Sequence, residues 1–287
     1  MWTLPSDYIQ LTKPTIMLLV LFTGATALVA EGSLLSHPGK FTLIMLALYL
    51  TGGCANALNQ YFERDIDAKM TRTANRRPLP MDRISPSHAL MFALAIGAIG
   101  VAVFVIWFNL LSALMAVGTI LFYSLFYTLW LKPNTVQNIV IGGVAGAMAP
   151  VGAWAAATGG TAVLPWLMFL IVFLWTPPHF WALALFCKDD YVRAQLPMMP
   201  VVKGDDATLR QIVIYSVIVA AASLTLRFFG SGWLYFGVAL VLGLWFVWKS
   251  IAALRQHTES SARSLFGFSI VYLFALFTAI MVDSLLI

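Results

Sequence analysis

The chain has 287 residues, of which 61% are hydrophobic and only 10% charged, and its mean hydropathy is +0.87. A soluble domain of this length cannot hide so much apolar surface, so the composition specifies a polytopic membrane protein. The formal net charge of +5 reads as a topology signal, and no interleaving of basic and aromatic residues calls for a nucleic-acid partner.

The N-terminal segment Met1 to Pro14 carries one Lys and no Arg, unlike a mitochondrial transit peptide, which favours a bacterial plasma membrane. Nine apolar runs follow, over residues 15–33, 41–62, 87–107, 109–130, 138–157, 163–187, 211–229, 231–248 and 265–286. Each is long enough to cross a bilayer, and none alternates as a lipid barrel would, so the fold class is all-α with nine transmembrane helices. The boundary between the third and fourth runs, Phe108-Asn109, is marked only by that dipeptide.

With the N-terminus inside, fifteen basic residues fall on the cytoplasmic side: Lys13, Arg64, Lys69, Arg72, Arg76, Arg77, Arg83, Lys132, Lys188, Arg193, Lys203, Arg210, Lys249, Arg255 and Arg263. Only Lys40 and Arg227 fall outside, which places the C-terminus outside and supports the span count. Two cytoplasmic loops are long, 63–86 and 188–210, and each opens with acids. Four spans separate them, so we expect a single domain over 1–287 with pseudo-repeat halves of about 1–130 and 138–248 plus a final helix. The two acidic loops should then face each other across a central cavity open to the cytoplasm. Gly52-Gly53 and the run from Gly142 to Ala147 allow close helix approach, and Cys54 and Cys187 read as small packing residues.

Four constellations carry chemistry. In the first, Asn59, Glu63 and Asp67 are spaced by four, so a continuing helix would align them as one stripe of oxygen ligands, with Asn56 deeper in the span. Such a stripe suits a hard divalent cation holding a diphosphate, at the price of polar groups in the membrane. The second is Arg72, Arg76 and Arg77 before Pro78, a compact anion site. The third is Trp175-Thr176-Pro177-Pro178-His179-Phe180-Trp181 followed by Lys188-Asp189-Asp190-Tyr191. Prolines there should open the helix and turn His179 into the cavity as an iron ligand, proton carrier or orienting donor. The fourth is aromatic: Phe122, Phe126 and Trp130, with Tyr123 and Tyr127 alongside, form a stripe suited to an isoprenoid groove or to simple packing. Together these point to a membrane enzyme acting on a lipid diphosphate.

At these residues the chain resembles the UbiA family of intramembrane prenyltransferases, and within it the branch that farnesylates haem. The family's first motif, Asn-x3-Asp-x3-Asp, is matched by Asn59, Glu63 and Asp67. The branch's signatures are matched by Glu63 to Thr73, Trp175 to Leu183, Asp190-Tyr191 and Pro197 to Val202. Leu11-Thr12-Lys13-Pro14 and Asn138 to Gly143 extend the likeness over most of the chain. Two departures stand out: Glu63 replaces the usual Asp, and Asp189-Asp190 lacks a second Asp four residues on, where Arg193 stands.

The resemblance implies a UbiA-type bundle that transfers farnesyl from farnesyl diphosphate to a vinyl group of haem B with addition of water. It implies Mg2+ as the cofactor, held by Asn59, Glu63, Asp67 and the Asp189/Asp190 pair. Asn56, Arg72, Arg76, Lys132, Tyr191 and Phe126 would serve the substrates, Arg77 and Lys203 would hold haem propionates, and His179 would place the haem or its water. Farnesyl diphosphate, haem B and the lipid bilayer are the implied partners, with a haem A synthase or a terminal oxidase assembly receiving the product. Prenylation of 4-hydroxybenzoate or a related ring would use the same metal site. A non-catalytic haem carrier would not depend on it, and a CDP-alcohol phosphotransferase lacks its Asp-Gly-x2-Ala-Arg pattern here.

Overall fold

The computed structural model describes residues 5–286; residues 1–4, part of the N-terminal segment read above, and residue 287 lie outside the described residues. Among the described residues all regular structure is helical. Nine helices are long and apolar enough to span a bilayer: α1 (Pro14–Glu31), α2 (Pro38–Phe62), α3 (Pro86–Trp107), α4 (Leu110–Asn134), α5 (Asn138–Thr158), α6 (Val163–Phe186), α7 (Asp205–Phe229), α8 (Trp233–Gln256) and α9 (Glu259–Leu286).

The ends are set by local chemistry. Proline opens α1, α2 and α3, where its missing N–H costs nothing. The Asn109 side chain accepts from the Ser112 N–H at 2.9 Å and donates to the Ala155 carbonyl at 2.8 Å, so one residue caps α4 and ties it to α5. That resolves the Phe108-Asn109 boundary. Helices α7, α8 and α9 run further toward the loops than the apolar runs do, because hydropathy marks only the lipid-crossing part of a helix that continues into water.

The spans alternate direction, which gathers the segments 63–85, 132–137, 187–204 and 257–258 at one end, together with the residues preceding α1. The other end has only short connections. Helix α2 packs chiefly on α3, α6 on α5, α7 and α9, and α1 on α5, α9 and α2. A Cβ at Gly142 of α5 would lie 2.4 Å from the Tyr127 ring, so glycine is required for the ring of α4 to lie against α5.

Candidate active site

The site begins with amides buried in α2. Asn56 donates through Nδ2 to the Thr12 carbonyl at 3.1 Å, and Gln60 donates through Nε2 to the Gln10 and Leu11 carbonyls at 3.0 Å each. These bonds satisfy the exposed carbonyls at the end of the short helix Pro5–Leu11. An ion pair between Arg83 and Asp7 at 3.0 Å anchors the same segment from the first long loop. The chain then turns at Lys13, whose φ of 52° lies in the left-handed region, before Pro14 opens α1. Lys13 Nζ reaches Asn59 Oδ1 at 2.5 Å.

Helix α2 ends at Phe62, and Glu63 caps it with φ −92° and ψ 4°. The Asp67 N–H still bonds the Glu63 carbonyl at 2.7 Å, so Asn59, Glu63 and Asp67 keep a four-residue spacing across the junction instead of lying on one continuing helix. Both carboxylates are buried. Lys132 from the end of α4 reaches Glu63 Oε1 at 2.6 Å, Arg77 pairs with Asp67, and the Arg77 guanidinium lies 4.0 Å from Glu63. Three cations thus surround two carboxylates and an amide.

The electrostatics follow. Burial would push the Glu63 carboxyl up, but Lys132 and Lys13 beside it reverse this and hold it below its ordinary value. Asp67 is pushed up by burial, against the pull of Arg77. The Lys13 ammonium is lowered to about 7, first by burial and then by Arg77, with Glu63 opposing. Glu63 Oε2 and Asp67 Oδ1 are buried with no hydrogen-bond partner among the described residues. An unpaired buried carboxylate oxygen is costly, and a divalent cation is the partner that hard oxygens fit. The residues present therefore fit Mg2+, with Asn59 as the third ligand.

Residues Phe122–Leu131 of α4 form a π-helix, a rare geometry that collects at functional sites. The Thr128 hydroxyl donates to the Tyr123 carbonyl five residues back at 2.8 Å, and its oxygen accepts from Asn59 Nδ2 at 3.0 Å. The widened turn brings Thr128 and Lys132 onto the side facing α2. Tyr123 and Tyr127 stack at 5.2 Å on a half-buried face, whereas Phe126 and Trp130 are 43% and 56% exposed on the outer surface. Phe122 beside them is half-buried.

Asp190 joins the second long loop to the first. Its carboxylate accepts the backbone N–H groups of Thr71 at 2.9 Å and Arg72 at 3.1 Å, and it pairs with Arg193. The two long loops thus touch directly through this side chain. Burial would raise the Asp190 carboxyl, but the Arg193 bond and the backbone N–H donors hold it below its ordinary value. Among the described residues no three His, Cys, Asp or Glu side chains gather as a metal cluster, so Asp190 is not grouped with Glu63 and Asp67. Asp189 is exposed and lines, with Asp190, Lys188 and Arg193, a cleft of about 500 Å³ at the loop-rich end.

Helix α6 runs unbroken through Pro177 and Pro178, so the prolines do not open it. His179 lies about 10 Å inside the end of α6 at the usual rise per residue, stacked between Trp175 at 4.3 Å and Phe266 at 4.5 Å. Ser269 Oγ lies 2.6 Å from the Phe266 carbonyl and 2.7 Å from His179 Nδ1. With its proton on that carbonyl it accepts from His179 Nδ1–H, which leaves the lone pair of a neutral His179 on Nε2. Trp175 Nε1 donates to the Ser269 carbonyl at 2.7 Å, which locks the pair.

The remaining expected residues divide plainly. Lys132 and Arg77 reach the acids, Arg77 at Asp67 rather than free for a propionate, while Asn56 holds the N-terminal turn. Tyr191 is buried in the short helix Lys188–Arg193. The side chains of Arg72, Arg76 and Lys203 are exposed, and none touches Glu63 or Asp67. Lys13, Gln60, Thr128 and Ser269 contact these residues and were not singled out by composition and spacing. The lysine directly before the proline that opens the first span was the signal for Lys13.

The chain matches the UbiA prenyltransferase family over residues 18–278. It is 47% identical to the protoheme IX farnesyltransferase of Rhodopseudomonas palustris strain BisB5, covering 97% of this chain and 90% of the relative. It is 48% identical to the enzyme of that name from Symbiobacterium thermophilum, over 96% and 93%. Among solved structures it superposes on a digeranylgeranylglyceryl phosphate synthase with a TM-score of 0.80 at 16% identity, over 98% and 99% of the two chains. A UbiA homolog from Archaeoglobus fulgidus bound to DMAPP and Mg2+ gives a TM-score of 0.69 at 16% identity, over 96% and 99%. The nine-helix bundle, the paired acids at its loop-rich end and these matches agree: the chain belongs to the UbiA prenyltransferase family.

Proposed function

We propose that this protein is a protohaem IX farnesyltransferase, joining the farnesyl group of farnesyl diphosphate to a vinyl group of haem B with addition of water to give haem O. The observation that carries it is the pair of buried carboxylates, Glu63 and Asp67, each with one oxygen bonded to a chain cation and the other without a hydrogen-bond partner among the described residues. The haem acceptor follows from the name borne by relatives nearly half identical over almost the whole chain.

Asn59, Glu63 and Asp67 would hold Mg2+, whose Lewis acidity, when bound, neutralises the diphosphate. Lys132 and Arg77 bind the diphosphate oxygens and receive the charge that develops as the allylic C–O bond breaks. The vinyl terminal carbon then bonds farnesyl C1, and water captures the cation left next to the porphyrin ring. His179 Nε2 accepts the proton from that water, with Ser269 and the flanking rings holding its orientation. Asp190 closes the loop over the donor end. The excess of Lys and Arg at this end supports a cytoplasmic orientation in a bacterial plasma membrane.

The test uses membranes containing the overexpressed protein, given haem B, farnesyl diphosphate and Mg2+, with haem extracts resolved by mass spectrometry. A haem heavier by farnesyl plus water, lost in Asp67→Ala, is the expected product. Prenylated 4-hydroxybenzoate without modified haem would reassign the acceptor.

A further inference from the structure

The three oxygen ligands of the site are not equivalent. Glu63 and Asp67 each have two oxygens, so each can keep its basic partner and still offer the other oxygen to a cation. Asn59 has one, and Lys13 holds it at 2.5 Å, so a dication on that oxygen would stand against the ammonium and be repelled by it. Nor can the amide turn over. The Thr128 hydroxyl has spent its proton on the Tyr123 carbonyl, so it can only accept, and Asn59 must present nitrogen to it. A metal ion that takes Asn59 Oδ1 therefore evicts the Lys13 ammonium.

The Lys13 backbone cannot retreat. Asn56 and Gln60 hold the carbonyls of residues 10 to 12, the Thr12 hydroxyl lies 2.9 Å from that of Tyr49, and the Lys13 carbonyl accepts the N–H groups of Ile16 and Met17. Only its side chain can swing. Among the described residues no carboxylate lies within ion-pair distance of Lys13, whereas Lys132 and Arg77 already have theirs. An evicted Lys13 therefore needs an anion, and a diphosphate delivered with the metal supplies one.

We propose that Lys13 is a diphosphate-binding residue parked on Asn59, released to the diphosphate when a divalent cation takes the Asn59 oxygen. This rests on the metal–diphosphate reading given above. Its consequence is coupling: metal alone binds poorly because it strands an ammonium, diphosphate alone binds poorly because Lys13 is engaged, and together they bind well.

The experiment measures Mn2+ binding by electron paramagnetic resonance, with and without inorganic diphosphate, on purified wild-type, Lys13→Met, Lys13→Gln and Asp67→Asn proteins. Wild type should bind Mn2+ more tightly with diphosphate, and Asp67→Asn should lose Mn2+ in both conditions. Lys13→Met should bind Mn2+ alone at least 10-fold more tightly and diphosphate at least 10-fold more weakly, removing the coupling. Lys13→Gln, which keeps a donor for Asn59, should shift both affinities in the same directions by less, and decides the matter if Lys13→Met does not fold. Unchanged affinities in the folded Lys13 variants, with Asp67-dependent Mn2+ binding intact, would overturn the Lys13 inference alone. Absence of Asp67-dependent Mn2+ binding in wild type would overturn the underlying reading.

Discussion

Replacing Asp190 by Asn separates a loop clamp from a metal ligand. The carboxylate accepts two backbone N–H groups, from Thr71 at 2.9 Å and Arg72 at 3.1 Å. Hydrogen bonds to a charged group contribute roughly 1.5–3 kcal/mol each, and a neutral one about half of that. Asn offers one oxygen, so one N–H keeps a weaker bond while the other faces an NH2 group. The Arg193 pair adds about 0–1 kcal/mol, since that arginine is 54% exposed. The sum is a loss of about 2–5.5 kcal/mol in docking the loop, or roughly 30- to 8,000-fold in local opening. Hydrogen exchange followed by mass spectrometry should show faster exchange over residues 68–76 by that factor, with the spans unchanged. Mn2+ affinity should stay within about twofold of wild type. Unchanged exchange at Thr71 and Arg72, or loss of Mn2+ equal to that in Asp67→Asn, would refute the clamp.

Acid should release the same clamp. The Asp190 carboxyl is held below its ordinary value in the folded protein, so its contribution is complete above that value and disappears as pH falls through the lowered one. Pepsin should nick residues 68–76 of the wild type only below the usual carboxylate range, and Asp190→Asn already above it. Ser269→Ala frees the His179 ring, and we expect kcat to fall about 10-fold with the KM for farnesyl diphosphate unchanged; a rise in KM alone would point to packing. Gly142→Ala forces Tyr127 off α5, and we expect a loss of about 1–3 kcal/mol, read as a lower melting temperature in detergent. Phe126→Ala faces lipid and should leave kcat/KM within about twofold; a larger loss would return that ring to the substrate path.

The spans were legible because lipid demands long apolar runs, and all nine fall where those runs predict them. Helix ends beyond the hydrocarbon were not, since Lys249 and Arg255 continue α8 in water where hydropathy stops counting. Glu63, Asp67 and Lys132 were readable because charges at a span end need a partner. Lys13 and Gln60 were less so, because they matter through a turn that folds back on α2, and contacts across more than forty residues leave no local pattern. The aromatic stripe stayed open between groove and packing because spacing alone does not tell which face of a helix is exposed, and the π-helical turn shifts that face. His179 was placed in the right helix but against α9, since a proline pair within a supported helix need not break it.

Lys13, Glu63, Asp67, Arg77 and Lys132, with the Asn59 amide between them, all lie in the first 134 residues. During synthesis these groups are therefore all present once four spans have left the ribosome, while the Asp190 clamp and Trp175, His179 and Ser269 are still to come. The two halves of the chain can then diverge separately. Substitutions in α6 and α9 would alter what is prenylated without disturbing the machinery that releases the prenyl group. A single scaffold can in this way be fitted to new acceptors by changing only the part of it that is made last.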